Sequence, residues 1–319
     1  MHPWNQPILD SFARGAERLP HAILLHGMRG VGKLALAERL AQRLLCEQPE
    51  DARRPCGSCD ACRWYLAGNH PDFRRLEPEA LSGQSEADEE EGGGEVPSRR
   101  QKKASTQIRV EQVRGFADFL NLGSHRGRRR VVLVHPAEDM NPNAANALLK
   151  SLEEPPPAVL FLLVSHQPAR LPATIRSRCV AVAVRVPVRE IALRWLAGQK
   201  VRDAERWLAF AGGAPLRALD YAREAEAWDR AIRASGTVEG REELERLAEA
   251  LQKGAYDRAF ASFGLAPKYG TVGKGVAGGS GGRAWLTYAR QMGAQRLLSR
   301  HPVSPKLFSA ELLTARPED

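Results

Sequence analysis

The chain has 319 residues, room for two or three domains, and its 43% hydrophobic and 27% charged residues are the mix of a soluble globular protein. No apolar run reaches the length of a membrane span, and Met1 to Asp10 lacks the basic-then-apolar pattern of a signal peptide, so a cytoplasmic protein with no membrane contact is expected. A formal charge of +9 permits contact with nucleic acid or an acidic partner, and five cysteines in such a chain point to metal or thiols rather than disulfides.

Trp4 to Arg18 reads as a helix with Ile8, Phe12 and Ala16 near one face. Ala22-Ile23-Leu24-Leu25-His26 reads as a buried parallel strand. It enters Gly27-Met28-Arg29-Gly30-Val31-Gly32-Lys33-Leu34, and Leu34 to Leu45 then has the composition of a helix. Strand, Gly-rich loop and helix are the context of a phosphate-binding loop, G-x-x-x-x-G-K-[ST]. There, backbone N–H groups at the helix N-terminus cradle phosphates and the Lys reaches the outer oxygens. Gly27, Gly30, Gly32 and Lys33 are the candidate nucleotide ligands. Leu34 stands where a Ser or Thr hydroxyl would ligate Mg²⁺, and it has no oxygen to offer.

Cys46, Cys56, Cys59 and Cys62 follow, spaced C-x9-C-x2-C-x2-C. Four thiolates close a tetrahedral Zn²⁺ site and leave no open position, so the expected zinc is structural rather than catalytic. Phe73 to Leu76 is a candidate strand. From Glu77 to Thr106 an acidic block, a Gly run and a basic block read as a disordered surface insertion.

Ile108 restarts a helix to about Leu120, Val131 to Val134 is a second strand, and Asn143 to Glu154 is a helix closed by Pro155-Pro156-Pro157. Val159 to Val164 and Val180 to Val186 are further strands. Strands alternating with helices predict a mostly parallel sheet covered on both faces. After Pro187 the pattern is helical: 189–199, 203–211, Leu216 to about Ala234, 242–263, 285–298 and 306–313. Gly212-Gly213-Ala214-Pro215 interrupts it, and Gly270 to Gly282 reads as a flexible loop.

Several motifs together resemble one family. Asn146-Ala147-Leu148-Leu149-Lys150-Ser151-Leu152-Glu153-Glu154-Pro155-Pro156 resembles the most recognisable block of clamp-loader AAA+ subunits. Ser177-Arg178-Cys179 resembles their S-R-C motif, and the four-Cys module resembles that of the bacterial clamp loader. These motifs lie in the N-terminal two-thirds; the helical tail fits the family's collar without motifs of its own.

The resemblance implies an α/β AAA+ fold: a RecA-like parallel sheet with helices on both faces over residues 1–186, including the zinc module (46–62) and the insertion (77–106). A helical lid (187–234) and an all-α collar or oligomerisation domain (235–319) follow. In the family's motor subunits the strand before the N-A-L-L-K helix ends in Asp-Glu, which hold Mg²⁺ and prepare the attacking water. Counting back from Asn146 places His135 and Pro136 there, so ATP and Mg²⁺ are not expected to be turned over. The family's second sensor Arg falls at Leu216, with Arg217 one step beyond. The S-R-C Arg reaches into a neighbour's nucleotide site, which gives Arg178 the role of an arginine finger acting in trans.

The implied function is that of a non-hydrolysing stator in the replicative DNA polymerase III holoenzyme. It would sit in a hetero-oligomeric ring with gamma/tau and delta subunits and, through the complex, help place the sliding clamp on primed DNA. Two other readings remain. One is an active clamp-loader-like ATPase with divergent metal ligands; the other is a zinc-dependent nucleic-acid-binding module using the four cysteines and the basic charge.

Overall fold

A computed structural model describes residues 1–15, 19–49, 54–82, 104–116, 119–120, 129–271, 281–298 and 303–317. The chain divides into two compact units, Met1–Arg185 and Val186–Asp319. The expected flexible loop falls mostly on 272–280, outside the described residues, as does the bulk of the insertion, 83–103.

Unit 1 is built on five parallel strands, β1 (Ala22–His26), β2 (Phe73–Leu76), β3 (Arg130–Val134), β4 (Val159–Ser165) and β5 (Val180–Ala183), in the order β2-β3-β4-β1-β5. Every residue of β3 and β4 is buried, as expected for strands covered on both faces. Alternate residues share a face. Ala22, Leu24, Val132, Val134, Phe161 and Leu163 form one core with Ala144, Leu148 and Leu152 of the helix Pro142–Glu153. Ile23, Leu25, Val131, Leu133, Leu160 and Leu162 are equally buried on the other face, and the helix Lys33–Leu45 packs against β1, β3 and β4. The helices described from end to end in this unit are α1 (Gln6–Arg14), α2 (Lys33–Leu45), α3 (Asp60–Leu66), α4 (Glu79–Ser82), α5 (Val110–Arg114), α6 (Pro142–Glu153) and α7 (Ala173–Ser177).

Several expectations need correction. The N-terminal helix is preceded by a 3-10 turn, Pro3–Asn5, and ends at Arg14, before Gly15. The helix expected from Ile108 starts at Val110, because Ile108 is extended and pairs with Asp139 and Asn141 through its N–H and C=O (2.9 and 3.0 Å). It ends at Arg114 before Gly115; residues 117–118 lie outside the described residues. The fifth strand stops at Ala183 rather than Val186, since its neighbour β1 ends at the paired His26 and the chain there turns into the Gly-rich loop. The two ends of the insertion are folded: Glu79–Ser82 is helical, Ala80 N–H donates to Ser105 C=O (3.0 Å), and Ser105 N–H donates to Glu79 Oε2 (2.9 Å).

Unit 2 is helical: α8 (Arg189–Gly198), α9 (Ala204–Phe210), α10 (Pro215–Arg223), α11 (Ala225–Arg233), α12 (Arg241–Ser262), α13 (Gly282–Leu298) and α14 (Pro305–Thr314). The single helix expected over Leu216 to Ala234 is two helices broken at Glu224. The break lets Tyr221 and Trp228 meet edge to face (4.6 Å) while both rings reach Phe210 (4.9 and 5.5 Å). A second cluster, with Leu244, Ala248, Trp285, Tyr288, Met292 and Leu312, joins α12, α13 and α14.

Candidate functional site

Strands β1, β3 and β4 end at one edge of the sheet, with Leu25 beside Val164 and Leu163 beside Val134. Open α/β sheets place their ligands at this carboxyl edge. The Gly-rich loop leaves β1 there. Gly32 caps α2 in the left-handed conformation (φ 80°), and a Cβ at that position would lie 2.4 Å from the His2 ring. Gly27 has φ 148°, and its Cβ would lie 2.3 Å from the Val184 carbonyl oxygen. Gly27→Ala is expected to lower stability by about 1–3 kcal/mol, because backbone cannot yield as a side-chain tip can; urea unfolding of the full chain checks this.

Lys33 is buried, and its Nζ donates to the loop's own carbonyls at Gly27 (2.7 Å) and Met28 (2.6 Å). Burial lowers its pKa to about 8, with Glu138 pulling it up and Arg29 pushing it down. Two residues absent from the sequence expectations hold the outer side of the loop. Trp4 Nε1 donates to Val31 C=O (2.9 Å), and Asn5 Nδ2 donates to the carbonyls of Val31 (3.0 Å) and Gly32 (3.2 Å). Nothing in the local pattern around Trp4 points 27 residues ahead.

His135 follows the last residue of β3, its N–H donating to Leu76 C=O (2.9 Å). Its ring stands edge to face with His166 at 5.4 Å. Burial, then the charges of Arg75, Arg29 and Lys33, lowers its pKa to about 4, so the ring is neutral at pH 7. Pro136 is buried and has no side-chain acceptor. Glu138, in the 3-10 turn Ala137–Asp139, brings a carboxylate to this edge; its Oε1 accepts from His166 N–H (2.9 Å). The side chains of Leu34, His135 and Pro136 offer no oxygen to a hard cation.

Arg178 caps the C-terminus of α7 and is about a third exposed. Its Nη2 lies 2.6 Å from Glu153 Oε1, at the end of α6, and its Nη1 donates to Thr174 C=O (3.0 Å) and Ser177 Oγ (3.4 Å). Cys179 is partly buried, and burial raises its thiol to about 11, the behaviour of a small packing residue rather than a nucleophile. In unit 2, Arg217 donates to both oxygens of Glu249 on α12 (2.7 and 2.6 Å) and to Tyr221 Oη (2.7 Å), so its guanidinium is engaged among the helices.

The structure brings all four predicted cysteines together. Their Sγ atoms lie within 4.8 Å of one another, with Cys46–Cys59 and Cys56–Cys62 both at 4.0 Å. A tetrahedral ion with ~2.3 Å bonds to sulfur needs edges of roughly 3.8 Å, so the donor set fits a zinc-sized ion. Cys46 caps the C-terminus of α2 and Cys59 the N-terminus of α3, which ties the helix after the Gly-rich loop to the four cysteines. The amides of Ser58 and Cys59 donate to Cys56 Sγ (3.4 and 3.3 Å), and the amide of Cys62 donates to Cys59 Sγ (3.4 Å). The Ser58 hydroxyl and amide lower the Cys56 thiol to about 6, while burial raises Cys62 to about 12. Among the described residues no helix is long and apolar enough to cross a membrane.

A profile described as "DNA polymerase III, delta subunit" matches residues 7–187. The DNA polymerase III subunit delta' of Pseudomonas aeruginosa is 43% identical over 222 residues, covering 68% of this chain and 60% of that protein. That of Escherichia coli K12 is 33% identical over 223 residues, again 68% and 60%. The tau subunit of Escherichia coli K12 is 35% identical over 178 residues, 55% of this chain and 24% of tau. The match thus spans about 60% of the length of these two delta' relatives. Among solved structures, a DNA polymerase III gamma subunit-related protein from Thermotoga maritima has the same fold, with a TM-score of 0.51 and 18% identity over 96% of this chain and 97% of that one. The parallel sheet, the helical second unit and these matches agree: the chain belongs to the DNA polymerase III delta subunit family, a family of clamp-loader subunits with a RecA-like AAA+ fold.

Proposed function

We propose that this chain is a non-hydrolysing clamp-loader subunit, a stator whose chemical contribution is Arg178, given in trans to a neighbouring gamma/tau-type ATPase. The observation that carries the reading is the edge of the sheet. Leu34, His135 and Pro136 occupy the positions of the metal ligands and the water-positioning group, and His135 is neutral at pH 7. Phosphoryl transfer depends on metal charge and positioning, so three replacements at one centre weigh against turnover. The Lys33 ammonium, bonded to loop carbonyls, supports the same reading. A helical lid over 187–234 and a collar over 235–319, the partners gamma/tau and delta, and action on the sliding clamp and primed DNA through the complex complete the proposal.

The test is Mg²⁺-dependent ATP hydrolysis by the purified chain, alone and then mixed with gamma/tau-type and delta subunits. No turnover alone with stimulation on mixing is expected. Turnover by the chain alone, abolished by Lys33→Ala, would replace the stator with an active ATPase.

The four cysteines are assigned to one structural Zn²⁺, held by Cys46, Cys56, Cys59 and Cys62. When bound, the ion supplies a cross-link and no open coordination position. Cys62→Ser is expected to lose most of the zinc and to lower Tm by about 5 °C, corresponding to roughly 2 kcal/mol in a domain of this size. Metal analysis and melting of the full chain check this; zinc-free protein with an unshifted melt would remove the assignment.

A further inference from the structure

The pair between Arg178 and Glu153 joins two segments that the sequence presents as separate motifs. Glu153 is the last residue of α6, where Pro155 ends the helix two positions on. Arg178 closes α7, and its backbone N–H donates to Ile175 C=O (3.1 Å). The helix ends meet so that one guanidinium nitrogen faces the carboxylate at 2.6 Å. The other reaches Thr174 C=O at 3.0 Å and the Ser177 hydroxyl at 3.4 Å. Both terminal nitrogens are thereby fixed in direction.

Stability does not account for this arrangement. Glu153 and Arg178 keep 44% and 34% of their side-chain surface in solvent, and exposed ion pairs add little to folding. What such a pair does change is the freedom of a long, flexible side chain. An arginine holds its charge always and offers five N–H donors in a planar fork. The contact to Glu153 is made through one nitrogen and one oxygen, and donors remain for a second anion.

We propose that Glu153 is a positioning residue for Arg178: it holds the guanidinium oriented at the end of α6, ready for the phosphates of a neighbouring subunit. This rests on the finger reading of Arg178. Glu153 does not touch the reacting atoms; its effect passes through the arginine, and misorientation of a catalytic group is costly to rate.

The experiment is DNA-stimulated ATPase of the assembled complex, containing full-length chain with gamma/tau-type and delta subunits, measured for wild type, Arg178→Ala, Glu153→Gln, Glu153→Ala and Glu153→Asp. Followed in a single turnover at the site that Arg178 serves, the expected result is a loss with Arg178→Ala and roughly a 5–10-fold lower rate constant with Glu153→Ala at unchanged KM for ATP. Glu153→Gln should be intermediate, and Glu153→Asp should recover part of the rate. If Arg178→Ala has no effect, the finger reading fails and this proposal with it. If Arg178→Ala lowers the rate while the Glu153 variants match wild type, exceed it or change KM alone, the finger stands and the role of Glu153 is overturned.

Discussion

Glu249→Gln is expected to lower the stability of the helical unit by about 3–5 kcal/mol, the range for removing one partner of a buried ionic cluster. The Glu249 side chain is 8% exposed and receives Arg217 from α10 (2.6 Å), Lys253 from α12 (2.8 Å) and Arg296 from α13 (2.7 Å), with the Tyr221 hydroxyl also donating to it. Lys253 in turn donates to Tyr221 Oη (2.8 Å) and sits 3.9 Å from the centre of the Phe210 ring. Three cations share one carboxylate, so removing its charge takes away the counterion they have in common. Burial pushes Glu249 up, but Lys253, Arg217 and Arg296 outweigh it and hold the carboxylate well below its usual range. The sign follows: its stabilisation is full above the unfolded value of roughly 4.3 and is lost as pH falls through the folded one. Lys253 adds a second rise of stability with pH, in an alkaline window. Burial lowers it to about 8, so deprotonation favours the folded state as pH rises from there toward roughly 10.4. Urea unfolding of Glu249→Gln across pH 3–9 is the measurement. The exposed pair of Glu245 and Arg241 (4.0 Å) is the control, and Glu245→Gln should change stability by less than about 0.5 kcal/mol. A Glu249→Gln chain within 1 kcal/mol of wild type, or one with an unaltered acid limb, would contradict the account.

This cluster also marks where a single sequence stops being legible. Beside Lys253, Glu249 reads as an ordinary solvated i,i+4 pair on a helix; its partners Arg217 and Arg296 lie 32 and 47 residues away. No local pattern announces such pairings. Local signals served well where the chain carries its own boundaries. β1 runs from Ala22 to His26 as its apolar run does, because Gly27 turns the chain and hydrophobicity alone decides a doubly covered strand. The helix Pro142–Glu153 starts under the Asn141 side chain, which accepts from Ala144 N–H (2.7 Å), and ends before the prolines. The cysteine spacing pointed to the cluster that the four side chains form for the same reason: short loops restrict how far apart two thiols can lie. The break at Glu224 could not be read, since helix formers continue through it and only the distant Phe210 explains the bend. The helix Asp60–Leu66 was missed because it is a single short element that starts at Cys59 and carries Cys62 of the four-cysteine cluster. At the Gly-rich loop the motif was legible and the bonds that hold it were not; Trp4 and Asn5 donate to its Val31 carbonyl from another element.

On the proposed role in trans, Arg178→Ala is expected to slow hydrolysis at one neighbouring site by roughly 10³-fold or more, the scale of an arginine finger stabilising charge on a transferring phosphoryl group. The effect on total turnover depends on how many sites the assembly carries. Wherever other subunits bring fingers of their own, their sites continue, and steady-state ATPase falls only by the share of the site this chain completes. Chemistry at the served site is therefore best followed in a single turnover, with nucleotide limiting and primed DNA present. Nucleotide affinity should change far less than rate, because the guanidinium acts on charge that develops in the transition state. Arg178→Lys separates charge from geometry: an ammonium keeps the charge and loses the planar fork, so partial recovery indicates a charge contact and none indicates a bidentate one. The fold should tolerate either change, since Arg178 lies about a third exposed and its ion pair with Glu153 is at the surface. An Arg178→Ala chain that assembles normally and leaves every turnover rate unaltered would make the residue a surface ion pair and nothing more.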